Sequence, residues 1–346
     1  MGAPTVKACP SNWKKGAHGG TPLQLIQLME RAINRSPQNA RLSAAIGAVF
    51  WIIVLFIRTG DARETELIQK ITFLGILVIV PLAMSLVPAL QTERESILYR
   101  AAVSAQPVGA VATVLSFFLT PGIPAATLAL SWLLVTMVIA VFALWRLLKR
   151  GPRLSGEIFV DAGMLFLPVG AGWLLASRFG TQPIGFGETI VLLTATHFHF
   201  AGFAAPILTG MAGRALVGAR SVTSVFGVSG ILVIAGTPLV AAGITFSPAV
   251  AMVGAVVISI GLVVLAVLVL GWVLRRVNSF ATQTLLVVSS LSSVAAMVMA
   301  CLYAYSIVAK SVIVDIPQMA MTHGVLNSFG FALCGLVAWS LARQNN

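Results

Sequence analysis

Long apolar stretches recur along almost the whole chain and are separated by short polar or basic segments. About 20 apolar residues form a helix that crosses a hydrocarbon core of roughly 30 Å at about 1.5 Å per residue. Within a bilayer, only helices and closed barrels satisfy every backbone polar group. The pattern therefore predicts an all-α, polytopic transmembrane helical bundle of about ten spans, at 42–57, 68–90, 97–119, 125–148, 157–177, 187–210, 221–243, 247–274, 281–309 and 317–342.

The N-terminal residues differ from the rest of the chain, because residues 1–41 are polar and basic. We interpret them as a tail before a single transmembrane domain, 42–342, which is followed by a short tail, 343–346. Within the first tail, Pro22–Arg35 fits either a short amphipathic helix at the membrane surface or a loose segment. In the helical alternative, the face turned toward lipid would consist of Leu25, Ile26, Met29 and Ile33.

Composition supports a membrane protein. The chain of 346 residues is 58% apolar and 9% charged, whereas soluble domains carry about 25% charged residues. So little charge cannot cover a soluble surface of this size. The cysteines (Cys9, Cys301 and Cys334) show no CxxC or zinc spacing, so we predict no disulfide framework, no metal and no cofactor.

The charges predict an orientation for the bundle. The formal net charge is +12, which in a soluble protein would suggest a nucleic-acid partner. With ten spans, 17 of the 22 basic residues fall on the side of the termini and 5 on the other side. Basic loops face the cytoplasm, so we predict a multi-pass cell-membrane protein with both termini cytoplasmic. The predicted partner is the lipid bilayer, and no nucleic-acid partner is predicted.

The first candidate site is the segment Thr194–Phe203 in the sixth predicted span, which contains His197 and His199. Ionisable side chains inside a membrane are costly and often functional. Positions two apart on an α-helix differ by about 200° around its axis, so the two rings point to nearly opposite sides. This disfavours one metal bound by both, unless the helix unwinds near Gly202. Each histidine is either a functional group or an interhelical hydrogen-bonding residue.

The second candidate site is in the last span, where His323 and Asn327 are four residues apart and share one helix face. Tyr303 and Tyr305 on the preceding span are predicted at a similar depth. We expect His323 to be catalytic and Asn327 to bind substrate. The tyrosines are either substrate-binding residues or interfacial belt residues.

Acidic side chains form the third candidate group. Glu157 and Asp161 share a helix face at the start of the fifth span, and they either share a proton or lie opposite arginines. Arg214 either pairs with Asp161 or acts as a basic anchor. Glu157 is alternatively an interfacial N-terminal charge favoured by the helix dipole. Glu188, at the start of the sixth span, is a candidate acid or a helix N-terminal cap. Asp315 is expected to cap the last helix.

Two segments, HFHFAGFAAPILTGMAGR (197–214) and THGVLNSFGF (322–331), resemble the YndJ-like family of bacterial integral membrane proteins. In that family the residues that correspond are His197, His199, Arg214, His323 and Asn327. The family resemblance implies a transporter. Similar small membrane proteins of bacterial terpenoid pathways resemble membrane-bound terpene cyclases, which implies an isomerase-type enzyme instead.

We favour a membrane-embedded enzyme that acts on a lipophilic small molecule by proton-initiated cyclisation of a prenyl chain or its epoxide. Such a reaction needs an acid, a base and aromatic walls that stabilise a cation. The expected acids are Glu188 or Asp161, with His197, His199 or His323 as partner or base. Phe200 and Phe203 are expected to line the substrate site. The alternative is a proton-coupled secondary transporter that uses the same groups as a relay.

Overall fold

A computed structural model of the chain describes residues 22–59, 63–88, 93–152 and 155–344, without the side chains of 22–35, 63–64, 93–94 and 96. The residues from Ser36 onward form one compact unit, and the residues before Ser36 are assigned to another. The described part of the chain is helical and contains no strand. Ten helices follow one another: α1 Pro22–Leu55, α2 Thr65–Leu86, α3 Glu93–Ser116, α4 Ile123–Arg150, α5 Gly156–Phe179, α6 Glu188–Ala215, α7 Arg220–Phe246, α8 Pro248–Arg276, α9 Phe280–Val308 and α10 Ile316–Gln344.

The helical membrane bundle predicted from the sequence is confirmed. Of the helices in the described residues, nine are long and apolar enough to cross a membrane. The exception is α3, which coincides with the predicted span 97–119 and contains Arg100, Gln106 and Pro107. It packs along α4, where a Cβ added to Gly109 would lie 2.8 Å from Val135. The prediction of about ten spans is therefore supported for nine helices, and the orientation of the termini stays a prediction.

Two predictions about the chain ends have different outcomes. The side chains of Pro22–Arg35 lie outside those described, so the amphipathic face proposed there stays a prediction. At the other end of the chain, Asp315 caps α10 as expected. Its Oδ1 accepts from the Gln318 backbone N–H at 2.8 Å, and Gln318 Oε1 accepts from the Asp315 N–H at 3.1 Å. Such a capping box pairs otherwise free backbone donors at a helix start.

Close backbone approach holds α7 against α8. A Cβ added to Gly243 would lie 2.0 Å from the backbone nitrogen of Ala251, and one added to Gly254 would lie 2.5 Å from that of Val240. Small residues permit such contacts between membrane helices, where lipid provides little hydrophobic driving force for association.

Several helices contain π-helical segments, in which one turn is widened. They are Gly75–Ile79 in α2, Phe198–Ala204 in α6, Val269–Val273 in α8, and Ala320–Gly324 and Leu326–Leu333 in α10. The α6 segment is followed by Pro206, whose ring would clash with the carbonyl four residues earlier in a regular α-helix. The segments of α2, α6 and the second segment of α10 contact one another. Because π-helical turns are frequent at functional sites, the point where these three segments meet is a candidate functional site.

Candidate functional site

His199 is completely buried and has both ring nitrogens engaged. The Trp132 indole N–H of α4 donates to His199 Nε2 at 2.9 Å, and His199 Nδ1 lies 2.7 Å from the Ala195 carbonyl. Because an indole N–H only donates and a carbonyl only accepts, His199 is neutral with its proton on Nδ1. The Trp132 and His199 rings are stacked, with centroids 6.0 Å apart.

His197 points to a different neighbour. Its ring lies close enough to His323 of α10 for an electrostatic interaction between the two. The expected divergence of the two α6 histidines is therefore confirmed, since His199 faces α4 and His197 faces α10. His197 is half-buried, and its Nε2 is buried without a hydrogen-bond partner among the described residues.

His323 is held by two bonds. Its Nδ1 lies 2.8 Å from the Ala296 carbonyl of α9, and Asn327 Nδ2 lies 3.0 Å from its Nε2. The carbonyl requires a proton on Nδ1. The Asn327 amide nitrogen lies 3.3 Å from Nδ1 and 3.0 Å from Nε2, so it packs over the ring near both nitrogens. The i, i+4 pairing of His323 and Asn327 expected from the sequence is confirmed. Of the histidines at this centre, His197 is the one that has a buried ring nitrogen without a hydrogen-bond partner in the described part of the chain.

The acids Glu157 and Asp161 lie far from the histidines, at the end of the bundle where α5 begins. Arg146 Nη2 of α4 donates to Glu157 Oε2 at 2.5 Å, and Arg146 Nε lies 3.4 Å from Asp161 Oδ1. Arg150 donates to Asp161 Oδ2. We call this region the charged end, defined by these four residues and Arg214.

Arg214 of α6 pairs with Glu157, whereas the sequence suggested Asp161 or no partner. Arg214 Nε donates to Glu157 Oε1 at 2.5 Å, and Arg214 Nη2 donates to Oε2 at 3.0 Å. Arg214 Nη1 also donates to the Leu86 carbonyl at the end of α2, at 2.7 Å. Arg146 and Arg150 occupy Asp161 instead. Seventeen residues separate His197 from Arg214, which is about 25 Å along a helix.

The other expected site residues are dispersed. Glu188 is the exposed first residue of α6, about 14 Å along the helix from His197. Tyr305 is 51% exposed, and Tyr303 lies about 10 Å along α9 from Ala296, where His323 is bound. Phe203 is fully buried in the core and the Phe200 ring packs against Gly75 of α2.

Three partner residues were not predicted from the sequence: Trp132, which binds His199, and Arg146 and Arg150, which bind the carboxylates of the charged end. A signal existed for the arginines, because they are four apart and precede a carboxylate pair with the same spacing across a short loop. Such a hairpin places two arginines opposite two acids. For Trp132 the signal was weaker: a buried indole N–H needs an acceptor, but the sequence does not say on which helix.

The structure places His197, His199 and His323 in separate bonding arrangements. Among the described residues no group of three histidine, cysteine or acidic side chains is arranged to hold a metal ion. The centre consists instead of one open imidazole, His197, beside a second imidazole fixed in one tautomer, His323.

Comparisons with known proteins match the chain to a membrane protein and to a family model. The chain is 27% identical over 286 residues to the "Uncharacterized membrane protein YndJ" of Bacillus subtilis (strain 168). That alignment covers 82% of this chain and 50% of the relative, so the chain spans about half the length of the protein it matches. No solved structure matches the chain significantly. The family described as YndJ-like protein matches residues 70–331, a range that includes the histidine centre and the charged end. The chain therefore belongs to the YndJ-like protein family.

Proposed function

We propose that the protein is a membrane-embedded enzyme that opens and cyclises an epoxidised prenyl chain, with His197 as its acid–base group. The observation that carries this proposal is the buried Nε2 of His197, which has no hydrogen-bond partner among the residues that the structure describes. A buried polar atom without a partner is costly, and such a group at mid-helix is explained by a substrate atom that completes its bonding. Histidine is also the side chain that most readily gains and loses a proton near neutral pH.

The positions of the acidic side chains favour an epoxide, and not an unmodified alkene, as the group that is protonated. Asp161 is engaged by two arginines, and Glu188 is exposed at the far end of α6. Neither is placed to protonate a substrate at the histidine centre. An imidazolium is too weak an acid for an isolated alkene, but it can protonate an epoxide oxygen while the C–O bond breaks. We therefore drop the unmodified prenyl chain from the proposed substrate class.

In the proposed reaction, His197 enters as an imidazolium. Its Nε2–H proton moves to the epoxide oxygen as a C–O bond breaks, and the oxygen becomes a hydroxyl group. An alkene of the same chain then donates its electron pair to the developing cation, which closes a ring. The final cation loses a proton to the neutral His197. The product is an isomer of the substrate, and His197 ends as it began.

Aromatic rings beside His197 suit such a cation. The Phe198 ring lies 6.3 Å from the His197 ring in an edge-on arrangement, and Phe166 of α5 lies 6.2 Å from Phe198. Aromatic faces attract positive charge. His323, held by Ala296 and Asn327, would fix the neighbouring wall of the site.

The test is incubation of the purified protein, in detergent and in nanodiscs, with 10,11-epoxyfarnesyl and longer ω-epoxyprenyl alcohols, read by mass spectrometry and NMR. We expect a cyclic alcohol of unchanged mass. A diol that has gained one water would support epoxide hydrolysis and contradict cyclisation. His197→Gln is the inactive comparison and Tyr305→Phe the matched control. Absence of any product across the chain lengths would contradict the proposal.

A secondary transporter is the second candidate, and the meeting of three π-helical segments favours it. Interrupted helices near the bilayer midplane build the sites of many transporters, because irregular turns line a cavity there. In that role His197 would carry the coupled proton. Proteoliposomes with an imposed pH gradient test it: proton flux that depends on an added solute and is lost in His197→Gln would favour transport over catalysis.

A further inference from the structure

The charged end contains more arginine than its acids neutralise. Arg146 bridges Glu157 and Asp161, Arg150 binds Asp161, and Arg214 binds Glu157 in a bidentate manner. Three guanidinium groups therefore face two carboxylates. Among the described side chains this leaves one positive charge, although Arg146 is only 4% exposed. An uncompensated buried charge is strongly unfavourable.

Two further arginines approach the same place. Arg343 of α10 donates to the Ser85 carbonyl at 2.9 Å, beside the Leu86 carbonyl that accepts from Arg214. Arg343 also lies within electrostatic range of both Arg41 and Arg214. Arg41 of α1 donates to the Ser340 carbonyl at 3.4 Å. Guanidinium groups this close together repel one another, and an anion among them would remove that repulsion.

Tyr99 of α3 lies between the arginines of the charged end and the pair Arg41 and Arg343. Its hydroxyl donates to the Met84 carbonyl at 2.8 Å and lies within electrostatic range of Arg343 and Arg41. Its ring lies 5.6 Å from that of Phe142, and the Arg146 guanidinium lies 5.5 Å from the same Phe142 ring. Within the side chains that the structure describes, five arginines therefore lie around two paired carboxylates, Glu157 and Asp161.

Several of these guanidinium atoms still have bonding capacity. Arg146 Nη1, Arg150 Nε and Arg41 Nε are all buried, and none has a hydrogen-bond partner within the residues that the structure describes. Arg146 is the most informative, because its other two nitrogens are aimed at carboxylates and its Nη1 meets no acceptor in the part of the chain that the structure describes. Planar guanidinium donors match the oxygens of phosphate, which accept several such bonds at once.

We propose that the charged end is a binding site for a phosphate group, carried either by an anionic phospholipid or by a phosphorylated solute. The phosphate oxygens accept from Arg146 Nη1 and interact with Arg343 and Arg41, and the anion neutralises the excess positive charge. Basic pockets between membrane helices bind lipid headgroups in this way. This site is independent of the reaction proposed at His197, which lies about 25 Å away along α6.

Native mass spectrometry and thermal unfolding of the purified full chain test this site without any activity assay. One arm titrates phosphatidylglycerol against phosphatidylcholine in mixed micelles, and the other titrates inorganic phosphate and pyrophosphate against chloride. We expect one phosphate-bearing ligand to be retained and to raise the unfolding temperature. Retention of phosphatidylglycerol alone identifies a lipid as the source, and saturation by inorganic phosphate or pyrophosphate identifies a solute.

Variants that each remove one positive charge, inside or outside the proposed site, test where the phosphate binds. Arg343→Gln and Arg146→Gln should each weaken binding about tenfold or more, the loss of one charge-assisted contact. Lys149→Gln removes the same charge from an exposed position on α4, where the lysine lies over Trp145, and should leave binding unchanged. If Arg146→Gln fails to fold, the exposed Arg343→Gln still decides. Equal binding by Arg343→Gln and wild type, or no binding in either arm, would overturn the proposal.

Discussion

Two histidines that are only two residues apart on α6 occupy opposite chemical situations. His199 has a donor on one ring nitrogen and an acceptor on the other, and no part of it is exposed. His197 is half-buried with one ring nitrogen unpartnered among the described residues. The helix itself causes the difference, because it directs one ring at the indole of Trp132 and the other at a second imidazole. Unused bonding capacity, and not depth in the membrane alone, is therefore the criterion by which we propose His197 as the functional histidine.

The largest expected effect is on catalytic activity, which should depend on His197. His197→Gln should reduce the proposed cyclisation about 10²- to 10⁴-fold, the usual contribution of a positioned acid–base group. The unfolding temperature should stay close to wild type, because no bond among the described residues is lost. Turnover of the epoxide substrate and a thermal melt in detergent are measured on the same preparation. Wild-type turnover in this variant would remove His197 from the mechanism.

The next effect is on stability. His199→Phe should cost about 2–3 kcal/mol of unfolding free energy, because it leaves the buried Trp132 N–H without an acceptor. Trp132→Phe should restore part of that loss in the double variant, since neither partner is then left with an unpaired group. Thermal or denaturant unfolding of all four proteins forms a double-mutant cycle. Strictly additive losses would show that this hydrogen bond is not important to the fold.

A smaller effect tests how tightly the His199 ring is enclosed. A Cβ at Gly170 would lie 2.9 Å from His199 Nδ1 and 3.0 Å from the Ala195 carbonyl, so Gly170→Ala should cost about 1–3 kcal/mol. A Cβ at Gly75 would lie 3.4 Å from His199 Cβ, an ordinary contact. Gly75→Ala should therefore change stability by about 0.5 kcal/mol or less, since it adds a better helix former. Equal losses in the two variants would mean that the residues around the His199 ring move readily to admit an added methyl group.

The smallest expected effect concerns the tyrosines. Tyr305→Leu should leave turnover within about twofold of wild type, because surface substitutions away from special features usually change little and its ring is 51% exposed. Steady-state turnover of Tyr305→Leu is measured in parallel with that of His197→Gln, so that the two losses can be compared directly. A large loss in Tyr305→Leu would place the substrate on the outer side of α9 instead of at the histidines.

The sequence predicted those features that depend on one helix at a time. The spans follow from apolar length, the opposite directions of His197 and His199 follow from helical periodicity, and the cap at Asp315 follows from its spacing to Gln318. The partners of Arg214 and His199 could not be predicted, because they depend on which helices are neighbours. The sequence also does not mark the widened turns, apart from Pro206 and its missing N–H.

Those widened turns have a consequence for how the helix presents its two ends. A π-helical turn accommodates one extra residue, and one residue corresponds to about 100° of rotation on an α-helix. The segment Phe198–Ala204 therefore sets the angle between the face that holds His197 and the face that presents Arg214. Removal of a single residue there would turn the arginine about a quarter of a revolution away from Glu157. The widened turn thus fixes the relative direction of two distant side chains on one helix, His197 and Arg214.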